Sequence, residues 1–198
     1  MAFAIKRHRI TVSDYLRMAE AGILRDDDRV ELIEGEIVDM PPIGAAHAGT
    51  LIQLTRLFMQ RAGTRALVSV QNPLRLGEDL GEDSMPQPDL VLLRPRPDCY
   101  RTGHPGPEDV LLVVEVCDSS SAYDREVEVP LYARHGVPEV WLADLTRGVV
   151  ERCRHPGPDG YAAIETCQGR DRLAPERLPD VSLAVSEIMG PDGGATAS

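Results

Sequence analysis

The sequence predicts a mixed α/β or α+β domain, one mixed β-sheet flanked by helices. Three observations carry this expectation. Short runs rich in Val, Leu and Ile recur between Gly/Pro turn clusters, as strands do. Other segments place apolar residues at helical spacing. The two kinds mix without the regular βαβ rhythm of an all-parallel sheet. The 198 residues suit one domain with its own core. Aromatic residues make up only 4% of the chain, so that core must be built mainly from Val, Leu, Ile and Ala.

Residues 1–10 read as an N-terminal extension. "TVSDYLRMAEAG" (Thr11 to Gly22) reads as a short helix, with Thr11 or Ser13 as cap and Gly22 as stop. "RVELIEGEIVDM" reads as a hairpin turning at Glu34 and Gly35. "AGTLIQLTRLFMQRAG" carries Leu51, Leu54, Leu57 and Phe58 on one face and ends at Gly63, so it is an amphipathic helix. "ALVSVQNPLRL" is a strand bent at Pro73, and "LGEDLGEDSMPQP" an acidic Gly/Pro-rich loop leading into the strand "DLVLL". "RPRPDCYRTGHPGPED" reads as an exposed, mobile loop. "VLLVVEVC" is apolar on both faces and reads as a central strand. Ser121 to His135 looks helical, with a kink or a new turn at Pro130, which has no N–H to donate. "EVWLADL" is a strand, and "GVVERCRH" pairs with "GYAAIETC" across "PGPDG". The domain is expected over residues 11–189, with a disordered tail at 190–198.

Charge limits the partners. The formal net charge is −11, which disfavours polyanions, because phosphate affinity comes largely from Lys and Arg. Lys6 is the only lysine; the other basic side chains, histidines aside, are arginines, which do not readily give up a proton. No apolar run approaches the roughly 20 residues that span a bilayer, and the first residues do not read as a secretory signal. The expectation is a cytoplasmic protein with no membrane partner. Cys99, Cys117, Cys153 and Cys167 show no CxxC spacing and read as free thiols.

Two acids stand out. Asp89 follows Pro88 at the start of "DLVLL", and Glu115 lies inside "VLLVVEV". A carboxylate in an apolar strand is costly unless paired, hydrogen-bonded or bound to a metal. If the two strands are neighbours, the carboxylates meet and raise each other's pKa unless a cation joins them. Mg²⁺ or Mn²⁺, held by one or two carboxylates with water and a phosphate, fits that demand. Glu31, in the alternating "RVELIE", is a third candidate. The bland alternatives are an arginine salt bridge for Glu115 and a strand-start residue for Asp89.

The segments "RVELIEGEIVDMPPIGAAHAGTLIQLTRLF", "QPDLVLL" and "VVEVCDSSSAYDREVEVPLYARHGVPEVWLAD" together resemble the Uma2 family, which is similar to the PD-(D/E)XK nuclease superfamily. The resemblance covers roughly residues 11 to 187. It implies a restriction-endonuclease-like core and metal-dependent hydrolysis of nucleic-acid phosphodiester bonds. On that pattern Asp89 is the Asp of the PD motif and Glu115 the acid of the (D/E)XK motif, the two binding Mg²⁺. Glu31 matches the upstream acid. His47 matches a histidine often found at the start of the first long helix; its bland reading is simply a helix-start residue.

The chain departs from the pattern at its cation. Two residues after Glu115 stands Cys117 rather than lysine. The resemblance offers a second lysine place, four residues after the Asp of "YDR", and here it is Glu128. The serine after the strand is Asp118. Arg125, one helical turn before Glu128, is the candidate substitute, able to stabilise phosphate charge though a poor general base; Arg134 is a weaker one. Glu128 is also a candidate extra metal ligand. Three readings follow: a Mg²⁺-dependent endonuclease using Asp89, Glu115, Glu31 and Arg125, a catalytically degenerate nuclease-fold protein acting by binding or association, or a housekeeping domain in which these acids make only buried salt bridges. The sequence leaves a homodimer open.

Overall fold

The computed structural model describes residues 8–25, 27–77, 83–118 and 123–190. Most of the N-terminal extension, part of the acidic loop, the first residues of the helix expected from Ser121 and nearly all of the tail lie outside them. The chain divides into two compact units, one formed by Met1–Pro42 with Pro73–Gln87, the other by Ile43–Asn72 with Pro88–Ser198. Among the described residues no helix is long and apolar enough to cross a membrane.

The first unit is built on helix α1 (Val12–Glu20) and the hairpin β1 (Val30–Ile33) and β2 (Glu36–Asp39). Thr11 caps α1 as the sequence suggests. Its Oγ1 accepts the Asp14 N–H at 3.0 Å, satisfying one of the helix's orphan donors. The hairpin turns through Glu34 and Gly35, both at positive φ (48° and 74°). That is the geometry of the two-residue turn whose twist matches the strands it joins. Met85 extends the hairpin by an antiparallel bridge to Leu32. Val12, Tyr15, Leu32 and Met85 form this unit's core.

The second unit is a six-stranded mixed sheet flanked by helices. Helix α2 (Ala45–Ala62) precedes β3 (Leu67–Val70) and β4 (Leu90–Leu93). Next come the central strand β5 (Val110–Cys117), a π turn (Asp124–Glu128), the short helix α3 (Val129–Arg134) and β6 (Glu139–Asp144). The long hairpin β7 (Val149–Gly157) and β8 (Gly160–Gln168) follows. The small pair β9 (Arg172–Leu173) and β10 (Leu183–Ala184) leads into α4 (Val185–Met189). The sheet order is β3-β4-β5-β6-β7-β8, with β5 and β6 parallel and the other neighbours antiparallel.

Strand β5 is buried along its whole length, as its unbroken apolar run requires of a central strand. One face of the sheet (Leu90, Leu112, Val114, Val116, Trp141) packs on Leu51, Leu54 and Phe58 of α2. Phe58 and Trp141 meet with ring centroids 5.9 Å apart.

Two local expectations change. Residues 94–109 were expected to form a loose loop, but they are cross-linked internally. Arg96 pairs with Asp98 and lies over the Tyr100 ring, and Tyr100 OH donates to Arg94 O at 3.0 Å. The strand expected to run on through Pro73 stops at Val70, and Pro73 begins the return into the first unit.

Gly35→Ala tests the hairpin turn. A side chain there would sit at φ 74° with its Cβ 2.9 Å from Arg9 Cβ. The expected loss is about 1–3 kcal/mol, read as a lower urea midpoint by circular dichroism. An unchanged midpoint would remove the turn from the list of fold determinants.

Candidate active site

The site begins as a matter of strand register. Leu90 of β4 lies opposite Val114 of β5, and Val91 opposite Val113. One step before Leu90, Asp89 therefore arrives beside Glu115. The two are in contact: the Asp89 backbone N–H donates to Glu115 Oε2 at 3.0 Å. The Val116 N–H in turn donates to Asp89 Oδ2 at 2.9 Å. Backbone amides thus fix both carboxylates at the point where β4 starts.

Side chains from three other elements complete the arrangement. His47, in the first turn of α2, places Nε2 2.8 Å from Asp89 Oδ2. Gln71, just after β3, donates to Asp89 Oδ1 at 3.3 Å. Tyr132 of α3 donates its hydroxyl to Glu115 Oε1 at 2.7 Å. Asp118 stands at the N-terminal end of α2, where a Cβ on Gly44 would come within 2.8 Å of its Oδ2. That helix end carries partial positive charge and suits a carboxylate.

Glu128 sits in the π turn and is buried. The turn has a local cause. Pro130, two residues on, cannot donate to the Glu126 carbonyl, and the Val129 N–H reaches back five residues to Asp124 O. The anticipated irregularity at Pro130 is thus a widened turn just ahead of it. Tyr132 lies four residues beyond Glu128, at the spacing that puts side chains on the same side of a helix.

The electrostatics follow from this crowding. Burial pushes the Glu115 carboxyl well above its usual range, and the neighbouring Glu128 and Asp89 push it further. The Tyr132 and Asp89 hydrogen bonds pull the other way without reversing the shift. The hydrogen bond to Asp89 raises the His47 pKa; burial opposes this, and Asp89, Asp118 and Asp124 add to the rise. The Cys117 thiol, where the (D/E)XK pattern has lysine, is driven up by burial and then by Asp124, so it is a neutral, inert group.

Arg125, expected from sequence to stand in for the lysine, has a clear structural task. Its guanidinium donates to Asp144 Oδ2 at 2.6 Å and to Glu151 Oε2 at 3.0 Å. Asp144 is almost wholly buried and also accepts from Thr146 N–H and hydroxyl and from Arg147 N–H. This network ties the π turn to β6 and β7. Glu31, the third acid read from sequence, belongs to the first unit, where Gln87 N–H donates to its Oε2 at 3.3 Å.

The donor set suits a hard cation. Among the described residues no group of three or more His, Cys, Asp or Glu side chains is arranged to hold a metal ion. Asp89 and Glu115 offer two carboxylates, and a hard ion held by two carboxylates completes its shell with water and phosphate. Asp89 Oδ1, Glu115 Oε1 and Glu115 Oε2 each accept one hydrogen bond from a described residue. A carboxylate oxygen has a second lone pair to offer. A positive ion would also offset the acidic crowding that raises Glu115.

Stability should report that crowding in metal-free protein. The folded state holds the Glu115 proton more tightly than the unfolded chain, whose carboxyl titrates near 4.5. The contribution to stability is therefore full below that value and is lost as pH rises through the raised folded value. Glu128→Gln removes one negative neighbour. Its stability gain over the parent, from urea unfolding with chelator, should be larger at about pH 8 than at about pH 5. Equal gains at both would refute the coupling. Arg125→Ala should cost about 1–3 kcal/mol by the same measurement, because it strips a charged partner from buried Asp144.

Comparison with known proteins identifies the fold and the family. A solved structure from Anabaena variabilis ATCC 29413, described as "a putative nuclease belonging to DUF820", superposes with a TM-score of 0.68 at 17% identity. The match covers 91% of this chain and 97% of that one, and it shows a shared fold. No curated protein matches. A family model matches residues 12–186 under the description "Putative restriction endonuclease". That span takes in every acid discussed above, and the chain belongs to the Uma2 family.

Proposed function

We propose that this protein hydrolyses nucleic-acid phosphodiester bonds at the Asp89–Glu115 pair, with Mg²⁺ or Mn²⁺ as cofactor. The observation that carries the reading is the meeting of the two acids, one just ahead of β4 and one on β5, linked by the 3.0 Å hydrogen bond from Asp89 N–H to Glu115. Restriction-endonuclease-like families generally work with divalent metals. Asp89 and Glu115 would hold the ion, which when bound polarises the phosphate and makes a water more acidic.

The chain's own residues supply positioning. His47, Gln71 and the Val116 N–H fix both oxygens of Asp89. Tyr132 fixes the rotamer of Glu115. The hydrogen bond to Asp89 and the acids around His47 favour its protonated form, against the opposing effect of burial. Arg125 acts at one remove, holding the π turn through Asp144 and Glu151.

One observation favours a second reading, a degenerate site that binds without cutting. Glu128 is buried close enough to Glu115 to raise its pKa, at the place where the family pattern has a lysine. Reversing that charge works against an incoming phosphate as well as the transition state, and a lost electrostatic donor alone costs about 10²–10³ in rate.

A cleavage assay on single- and double-stranded DNA and RNA, with Mg²⁺ or Mn²⁺, separates the two. Under the nuclease reading the parent cuts slowly, Asp89→Ala abolishes cutting, and Glu128→Lys raises the rate at least about tenfold. A silent parent with an active Glu128→Lys variant would establish the degenerate site instead. If calorimetry finds no divalent-metal binding that Asp89→Ala removes, the metal site itself is wrong.

A further inference from the structure

We propose that the groove between α2 and β3 is the track of a single-stranded nucleic acid, which runs along it to the Asp89–Glu115 pair; the substrate role rests on the nuclease reading above. Charge gives the first argument. Residues 40–77 contain no Asp or Glu, so all 32 acids of the chain lie outside them, while Arg56, Arg61, Arg65 and Arg75 lie within. In a chain of net charge −11 this is the stretch that does not repel phosphate. Arg75 belongs to the first unit, and Arg61 and Arg65 are paired with Glu187 and Asp180. Arg56 is exposed and donates to two neutral groups, Gln53 Oε1 at 3.2 Å and Gln60 Oε1 at 3.5 Å. No carboxylate among the described residues pairs with it.

The apolar surface gives the second argument. Among the described residues five large apolar side chains are exposed, and three of them, Ile43, Ile52 and Met59, line this groove. Ala48 joins Ile52 and Met59 at helical spacing along one flank of α2, and Val70 comes from β3. The groove holds about 600 Å³, a volume typical of pockets that take a ligand, and Arg56 is part of its wall.

The groove is also continuous with the acid pair. Ala48 directly follows His47, and Val70 directly precedes Gln71. His47 and Gln71 both reach Asp89, at 2.8 and 3.3 Å. Each wall therefore ends on a side chain that touches Asp89. Arg56 lies further along α2, roughly 14 Å from His47 at 1.5 Å per residue. A strand held at Arg56 and laid along the groove is led towards Asp89.

These features select a single strand over a duplex. A duplex stacks its bases and presents phosphates and groove edges, and holding it by charge takes several cations. A single strand exposes the faces of its bases, which an apolar groove can cover, and it needs fewer phosphate contacts. One arginine without a carboxylate partner, beside an aliphatic groove, matches the single strand.

Fluorescence anisotropy on the full chain, with chelator present so that binding is read apart from cutting, tests this. A labelled oligothymidylate should bind at least about tenfold more tightly than a duplex of the same length. Arg56→Gln should weaken single-strand binding and flatten the slope of log K against log salt by about 0.7. Ile52→Ser and Met59→Ser should each weaken it about fivefold with the slope unchanged. Ile164→Ser, at an exposed isoleucine on β8, should change nothing. Equal or tighter duplex binding overturns the proposal, as does an Arg56→Gln slope equal to the parent's or a loss at Ile164→Ser matching that at Ile52→Ser. If Ile52→Ser instead converts a parent dimer to monomer in sedimentation and leaves oligonucleotide affinity intact, the groove is a protein contact and the proposal fails. The two readings fail separately. Single-strand binding with these variant effects in a chain that never cuts upholds the groove as a binding track and defeats the nuclease reading. Cutting that Asp89→Ala abolishes, with binding and rate untouched by Arg56→Gln and Ile52→Ser, defeats the groove alone.

Discussion

The constraint on which the second unit turns is a carboxylate sealed inside its central strand. Glu115 is buried on β5 among valines, where an unpartnered carboxylate would cost far more than the marginal stability of a domain. It is tolerated because the surrounding elements are aimed at it. The β4 register delivers the Asp89 N–H to one oxygen, and α3 delivers the Tyr132 hydroxyl to the other. Moving β4 by one residue would turn its side chains to the opposite face and break the arrangement. The position of the site and the pairing of the sheet are therefore one specification.

Charge around this point is distributed unevenly. Asp89, Glu115, Glu128, Asp118 and Asp124 gather near the end of β5, and His47 is the basic side chain whose pKa Asp89, Asp118 and Asp124 raise. The chain has ample arginine, yet the one nearest in sequence is used for architecture. Arg125 bridges Asp144 and Glu151, and Arg147 joins the same two acids. A guanidinium suits this role, since its planar fork serves two carboxylates at once. The result is a rigid mount for an acidic turn. It explains how a segment carrying Glu128 stays folded beside Glu115 despite the repulsion between them.

Much of this was legible in the sequence, because the local signals were strong. The unbroken apolar run of β5 and the Pro-Asp start of β4 marked two strands each carrying one acid, and they prove to be neighbours. The Glu34–Gly35 pair and the Thr11 cap were readable because turn and cap chemistry are local. The π turn was less so. Pro130 announced an irregularity, but whether a chain answers a missing N–H with a kink or a widened turn depends on what fixes the flanking residues, here Asp144 and Glu151 on later strands. Tyr132 carried a faint signal in its spacing from Glu128. Gln71 carried none, since nothing in "SVQNP" says that its amide will face Asp89. The β9–β10 pair and α4 were missed because two-residue strands and a five-residue helix hardly register as periodicity.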